Sequence, residues 1–458
     1  MPIQMKHQLS LAFALVLWLP AMPAIAAPDY AQPGPYEAGW RQVSVQRPGG
    51  GSFNALLFYP AEAPGQNAPL DGSGGPYPAV SFGHGFLQPP TRYTSILQHL
   101  ASWGYLTIAT ESSQSLFPNH ANYAEELSLC LTFLETEHAS PGSWLEGAVD
   151  TGAFGISGHS MGGGASMLAA AQDPRIAALA TLAPANTNPS AIAAAAGVTI
   201  PVRLIVGTND SITPTASHGR PMYDNGLGPR QLIDIQGGWH CGFQDSSVFG
   251  CDSGPMSRAD QLALSRALLT EFFELHLRAD EAAWAGVWGP GLAADPRLIA
   301  LSESLLQVEA GPALRARDGF PTQVALTITS SDTDPRNLTL RAESADFDLA
   351  AEPASIGPIA PAQPTPATYT LTISGTPGDT GKLLITATRP DGAGAWVEID
   401  ATLFCPADTN TDGVVDADDF FGFLALFAAA DPAADFNADG VIDADDFFAF
   451  LAAFADRC

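Results

Sequence analysis

From residue 28 to about residue 305 the chain alternates two patterns of apolar positions. Residues 53–59, 77–82, 105–110, 176–182, 201–206 and 231–235 are short, nearly continuous apolar runs of strand length. Residues 91–103, 123–137 and 260–277 repeat their apolar side chains at helical spacing. Strands apolar on both faces need cover on both sides, so this alternation predicts a mostly parallel sheet in an α/β domain over residues 27–305. Beyond it the pattern changes. Residues 324–329, 338–342, 368–374, 382–388 and 396–402 are short alternating runs separated by Asp, Gly and Pro. They predict a small all-β sandwich over 308–403, a spacer or accessory domain, with Pro-rich 353–366 as a connection within it or a linker. After residue 404, Phe420–Phe427 and Phe447–Phe454 both read Phe-Phe-x-Phe-Leu-Ala-x-Phe, an amphipathic helix met twice.

Charge sharpens this division. The 458 residues carry a formal net charge of -29, which argues against nucleic acid or an anionic membrane surface as partner. Residues 405–458 hold twelve Asp against the single Arg457, more than a third of that excess. At the other end, Lys6 and His7 precede an apolar run over 9–19, and Ala24-Ile25-Ala26 offers a small-residue cleavage site. A secretory leader over residues 1–26, cut after Ala26, is expected. No later apolar stretch is long enough to span a membrane. In an exported chain five cysteines suggest two disulfides, Cys241 with Cys251 and Cys405 with Cys458. Cys130 lies on the apolar face of 127–131 and reads as a buried small hydrophobe.

Candidate chemistry centres on Gly155-Ile156-Ser157-Gly158-His159-Ser160-Met161-Gly162-Gly163-Gly164. An apolar strand stops at a glycine, one serine follows, and 161–171 reads as a helix. This is the G-x-S-x-G turn that presents a nucleophilic serine. Serine needs a base, an acid to orient it, and donors for the oxyanion. Asp210 follows the apolar run 202–206, and His240 sits in Gly237-Gly238-Trp239-His240-Cys241-Gly242 after 231–235. The order Ser160, Asp210, His240 is that of α/β-hydrolases. Other histidines fit less well: His99 and His276 lie on helices, His120 and His138 precede the serine, and His218 follows Asp210 too closely. The glycine-rich turn Ser81-Phe82-Gly83-His84-Gly85-Phe86 can aim a backbone N–H, so the oxyanion donors are assigned to Phe86 and Met161, with His84 structural.

Residues 28–280 resemble the α/β-hydrolase branch that holds dienelactone-hydrolase-like esterases, chlorophyllases, and bacterial cutinases and polyester (PET) hydrolases. Gly158-His159-Ser160-Met161-Gly162-Gly163-Gly164 is similar to the cutinase elbow, and residues 93–105 resemble both cutinases and chlorophyllases. His84-Gly85-Phe86 is nearer the chlorophyllase turn than the Pro-Gly-Tyr of cutinases. The resemblance implies an α/β-hydrolase fold and ester hydrolysis without a catalytic cofactor. Polyester-cleaving cutinases carry a Trp-His pair where this chain reads Ala183-Pro184-Ala185-Asn186, so that aromatic clamp is missing; Trp239 is the candidate ring in its place.

The acidic tail contains an internal repeat. Asp408, Asn410, Asp412, Asp416 and Asp419 recur 27 residues later as Asp435, Asn437, Asp439, Asp443 and Asp446, with Gly413 and Gly440 at position six. Oxygen-bearing residues at positions 1, 3, 5, 9 and 12 match the EF-hand loop, in which position 7 (Val414, Val441) contributes its carbonyl, so two calcium ions are expected. Asp rather than Glu at position 12, with only the exiting helix well marked, resembles a dockerin module. That resemblance implies a cohesin-like scaffold or cell-surface partner, read by Ala417-Asp418 and Ala444-Asp445. Together these features predict a secreted, tethered serine carboxylesterase. The alternatives are a cutinase or polyester hydrolase, and an inactive binding or adhesion protein.

Overall fold

A computed structural model describes residues 28–437 and 440–456; the expected leader, Asp439 and Cys458 lie outside the described residues. The N-terminal two thirds form a single mixed sheet. Its strands are β1 (Glu37–Gln46), β2 (Ser52–Ala61), β3 (Gly65–Gln66), β4 (Tyr77–Gly83), β5 (Leu106–Thr110), β6 (Val149–His159), β7 (Ile176–Leu182), β8 (Val202–Gly207), β9 (Arg230–Ile235) and β10 (Leu298–Glu303). They lie in the order β10-β9-β8-β7-β6-β4-β5-β2-β1-β3. The middle six, β9 to β5 in that order, are mutually parallel, while β2 and β10 join antiparallel at either side.

The side-chain period of two divides each strand between two cores. Helices α2 (His120–Ala139), α3 (Met161–Ala170), α4 (Ala191–Ala195) and α5 (Gly219–Asn225) cover one face. There Leu127 and Leu131 of α2 and Ala165 of α3 pack on Ile156, Leu179 and Leu204. On the opposite face α1 (Thr94–Ser102) and α6 (Arg258–Arg278) set Ile96, Leu100, Leu269 and Phe273 against Val80, Ala180 and Ile205. Two short helices, α7 (Trp284–Val287) and α8 (Pro290–Ala294), lead back to β10. Cys130 is buried and free, and burial pushes its thiol pKa up.

One buried cation ties this face together. Arg203 of β8 is fully buried, and its guanidinium donates to Gln231 Oε1 at 2.7 Å, Leu268 O at 2.9 Å and Glu271 Oε1 at 2.7 Å. The apolar run over residues 201–206 gave no sign that residue 203 carries a buried charge.

Two further sheets follow. One runs β11-β13-β17-β15 and the other β12-β19-β18-β14-β16. Their strands are β11 (Leu306–Ala310), β12 (Ala313–Arg317), β13 (Pro321–Ser330), β14 (Arg336–Glu343), β15 (Asp348–Ala350), β16 (Ala354–Ile359), β17 (Thr365–Ser374), β18 (Thr380–Thr388) and β19 (Gly394–Phe404). Alternate residues of both, among them Leu326, Ile328, Tyr369, Leu340, Ile385 and Leu403, share one core. The Pro-rich segment is not a linker: 354–359 is strand β16. It is an edge strand, pairing only with β14 in its sheet, and an edge leaves amide positions where proline costs no ladder bond. The C-terminal helices α9 (Ala417–Ala428) and α10 (Ala444–Asp456) stack Phe423 on Phe450 with ring centroids 4.0 Å apart.

Candidate active site

The C-terminal ends of the parallel strands share one edge of the sheet, where open α/β folds present their ligand sites. Strand β6 ends there, and Ser160 occupies the turn into α3 with φ 56° and ψ -119°. A non-glycine residue at positive φ is strained, and this one is held by its surroundings: its amide donates to Leu182 O at 3.0 Å and its carbonyl accepts from Ala185 N at 2.9 Å. The glycines of the turn are required by contact. A β-carbon on Gly162 would lie 2.1 Å from the Gly83 carbonyl oxygen, and one on Gly158 would lie 2.6 Å from that of Gly162. The turn after β4 can therefore press against the start of α3.

Asp210 lies beyond β8 and His240 beyond β9, and the structure brings them into contact. His240 Nδ1 is 2.8 Å from Asp210 Oδ2, with both side chains buried. The carboxylate can only accept, so Nδ1 carries the proton and Nε2 is left with a lone pair. Asp210 Oδ1 accepts from the amides of Ile212 at 2.9 Å and Thr213 at 2.7 Å. Burial opposes the Asp210 charge, but the His240 and Thr213 contacts outweigh it and hold the carboxyl below its usual pKa range. No hydrogen bond joins Ser160 to His240 among the described residues. Their neighbours connect them instead: the rings of His159 and His240 are 4.5 Å apart, and His159 Nε2 lies 3.1 Å from His240 O.

The direction of that last contact fixes a chain of donors. His240 O only accepts, so His159 Nε2 carries the proton and its Nδ1 accepts from Tyr93 Oη at 2.9 Å. Tyr93 Oη in turn accepts from Gly85 N at 3.0 Å. Burial, reinforced by the nearby His240, keeps the pKa of His159 well below the usual range, which fits a neutral ring with its one proton on Nε2. Tyr93 and His159 thus link the turn after β4, the serine and the histidine loop.

The Phe86 amide belongs to the turn after β4, where a β-carbon on Gly85 would lie 3.5 Å from Ser160 Cβ, and the Met161 amide directly follows Ser160 at the first residue of α3. Neither donates to a protein group among the described residues. The histidine loop is pinned on its far side. Cys241 and Cys251 form a disulfide, and the carboxylate of the next residue, Asp252, accepts from the amides of His240 at 2.9 Å, Cys241 at 3.1 Å and Ser211 at 3.3 Å.

Sequence reasoning missed Thr213, Tyr93 and Asp252. Their partners are distant in sequence or belong to turns, and no apolar period reports a hydroxyl or carboxylate aimed at a loop. Trp239 does not serve as an open aromatic face: its ring is 7% exposed, its Nε1 donates to Met256 O at 3.1 Å, and Arg258 stacks on it at 4.8 Å. At the place of the Trp-His pair, Asn186 is used locally, its amide donating to His218 Nδ1 at 2.9 Å and its Oδ1 accepting from Ser190 Oγ at 2.9 Å. The loops of this edge nonetheless expose apolar side chains: Phe86, Leu87, Leu116, Phe117, Ile212 and Phe249.

The acidic loops lie apart from this edge, in the C-terminal unit. Asp408 accepts from the amides of Asp412 at 3.1 Å and Gly413 at 2.8 Å, and Asp419 accepts from Asn410 N at 3.2 Å and Asp416 N at 3.0 Å. Asp446 accepts from the amides of Asn437 and Asp443, so both loops close in the same way. Val414 and Val441 are exposed. Asp408, Asp419 and Asp446 are fully buried, and burial together with Asp419 and Asp412 raises the Asp408 pKa. Among the described residues no three His, Cys, Asp or Glu side chains are gathered tightly enough to hold a metal. The donor types suit a hard cation: carboxylates and Asn amide oxygens recur at matching places in the two loops, Asp408, Asp419 and Asp446 are buried, and no lysine or arginine is ion-paired to these three among the described residues. Cys405 is disulfide-bonded.

A family profile described as PET hydrolase-like matches residues 23–251, half of the chain. Cutinase est1 of Thermobifida alba is 27% identical over 196 residues, 43% of this chain and 59% of that protein. Cutinase of Thermobifida fusca is 25% identical over 195 residues, 43% and 58% of the two chains. A bis(hydroxyethyl) terephthalate hydrolase of Streptomyces coelicolor is 28% identical over 193 residues, 42% and 55%. The chain thus spans somewhat under two thirds of each of these three relatives. The match covers the strained serine turn, the Asp210 loop and the His240 loop together, and the chain belongs to the PET hydrolase-like family.

Proposed function

We propose that this protein is a secreted serine carboxylic ester hydrolase that works through an acyl-enzyme. The observation that carries the reading is the buried Asp210–His240 pair together with a serine in a strained turn and two unengaged amides, those of Phe86 and Met161. Ser160 Oγ attacks the ester carbonyl carbon while its proton passes to His240 Nε2. Asp210 holds the tautomer and stabilises the imidazolium. The amides of Phe86 and Met161 receive the oxyanion. The tetrahedral intermediate expels the alcohol, protonated by His240, and water then repeats the sequence on the acyl-serine. Ser160 and His240 are not hydrogen-bonded here, and such catalytic bonds commonly form or tighten when substrate is bound.

A second reading, a cutinase or polyester hydrolase, is favoured by the apolar side chains Phe86, Leu87, Phe117, Ile212 and Phe249 along this edge and by the similarity to cutinases and to a bis(hydroxyethyl) terephthalate hydrolase. Ala185 and Asn186 in place of an aromatic pair weaken it for terephthalate. The test compares p-nitrophenyl butyrate with PET film. Wild-type protein is expected to hydrolyse the soluble ester and Ser160→Ala to lose that activity; release of soluble aromatic product from film would extend the reading to polymers.

Calcium held by Asp408, Asn410, Asp412, Val414, Asp416 and Asp419, and by Asp435, Asn437, Asp439, Val441, Asp443 and Asp446, belongs to the same proposal. Bound there it would neutralise the buried carboxylates; it has no part in the ester chemistry. The module would then dock a cohesin-like scaffold or cell-surface protein through the starts of α9 and α10. No helix among the described residues is long and apolar enough to cross a membrane.

A further inference from the structure

The turn that carries the Phe86 amide is gripped by side chains to which the mechanism above gives no part. Two successive peptides are involved. The first joins His84 to Gly85 and is held at both ends: Tyr123 Oη donates to His84 O at 3.0 Å, and Gly85 N donates to Tyr93 Oη at 3.0 Å. The second joins Gly85 to Phe86. Its carbonyl oxygen lies 2.8 Å from His84 Nδ1 and also accepts from Gln88 N at 3.0 Å, and its N–H, the Phe86 amide, engages no protein group among the described residues. In a trans peptide the N–H and C=O point in opposite directions, so a grip on one aims the other.

We propose that His84 is a positioning residue of the oxyanion hole, its Nδ1–H holding the Gly85 carbonyl so that the Phe86 N–H points at the developing oxyanion. The inference rests on the ester-hydrolase reading above. The ring cannot swing away, because it is fully buried and packs on Tyr123 with centroids 5.2 Å apart. A donor on the carbonyl also polarises the peptide and strengthens its N–H as a donor. The second nitrogen, Nε2, lies 2.7 Å from Ser112 O, so a neutral ring donates to one of the two carbonyls, and the Nδ1–H tautomer proposed here is the one that holds Gly85 O. Burial lowers the pKa of the ring, against the two carbonyls and the carboxylates of Glu126 and Glu111. Glu126 is reached through Ser112 Oγ and is itself paired with Arg47.

Two substitutions separate aiming from space-filling. Asn places an amide N–H near the position of Nδ1, whereas the longer Gln places it near Nε2. His84→Asn should keep kcat on p-nitrophenyl butyrate within roughly fivefold, and His84→Gln should lower it roughly 10- to 100-fold with KM little changed. Inhibition by phenylboronic acid, which becomes a tetrahedral anion on Ser160, should weaken in parallel with kcat. Gln equal to or better than Asn, or a kcat loss with unchanged boronate inhibition, overturns the proposal. Should His84→Gln fail to fold, Tyr123→Phe removes only the hydroxyl on the preceding carbonyl. It should lower kcat and boronate affinity together, and unchanged values for both would count against the proposal. Fluorophosphonate labelling of wild-type Ser160 keeps the two readings apart: no labelling sinks the esterase reading, whereas labelling with a failed Asn–Gln comparison sinks only the role of His84.

Discussion

Thr213 has one hydroxyl and three partners. Its Oγ1 lies 2.9 Å from Asp210 Oδ2, 3.0 Å from His240 Nδ1 and 3.1 Å from Ala183 O. The oxygen can accept from the imidazole N–H while its own proton goes to the carboxylate or the carbonyl, so it steadies the pair when His240 becomes charged. A hydrogen bond to a charged group contributes on the order of 1.5–3 kcal/mol. Thr213→Val keeps the shape and removes the hydroxyl, and it should reduce kcat roughly tenfold with KM little changed, while Thr213→Ser should restore most of it. Equal kcat for Val and wild type in steady-state assays would leave Thr213 as packing alone.

At the scale of elements, each proposed catalytic side chain sits on the loop that follows a parallel strand, and the strands were legible because their apolar runs are continuous. The serine turn, Asp210 and His240 were legible for the same reason, as chemistry placed just after those runs. The supports were not. Asp252 clamps the histidine loop through main-chain amides, and β16 hides its strand character behind Pro358 because an edge needs no alternation. Trp239 looked like an available ring in sequence because composition cannot report that its indole faces Met256. The Cys241–Cys251 bridge closes a ten-residue separation beside His240, and a loop of that size contributes roughly 2–3 kcal/mol. Replacing both cysteines by serine should lower the thermal midpoint by about 5–10 °C in calorimetry and reduce kcat as the base loses its fixed place. An unchanged midpoint would show that Asp252 alone holds the loop.

At the scale of the whole molecule, the hydrolase sheet, the two-sheet unit and the C-terminal helices have separate cores that meet at a few polar and aromatic contacts. His276 Nδ1 lies 2.6 Å from Asp391 O, and Arg317 of β12 reaches Pro406 O at 2.8 Å and Ala433 O at 3.2 Å while stacking on Phe320. Through Pro406 O, Arg317 fastens the backbone two residues before Asp408 to the two-sheet unit. If calcium neutralises the carboxylates of Asp408 and Asp419, excess EGTA should reduce far-UV helicity and expose α9 and α10 to protease, and calcium should restore both. Ester hydrolysis should persist in EGTA, because Ser160, Asp210 and His240 belong to another core. Unchanged helicity and protease resistance would count against calcium, and lost hydrolysis against that independence.

The central claim is that Ser160 is the nucleophile of an ester hydrolase, and kcat/KM on p-nitrophenyl butyrate for wild type and Ser160→Ala tests it most directly. A fall on the order of 10⁴-fold or more, with the fold intact by circular dichroism, is the result expected. Retained activity in Ser160→Ala, or none in the wild type, would contradict it.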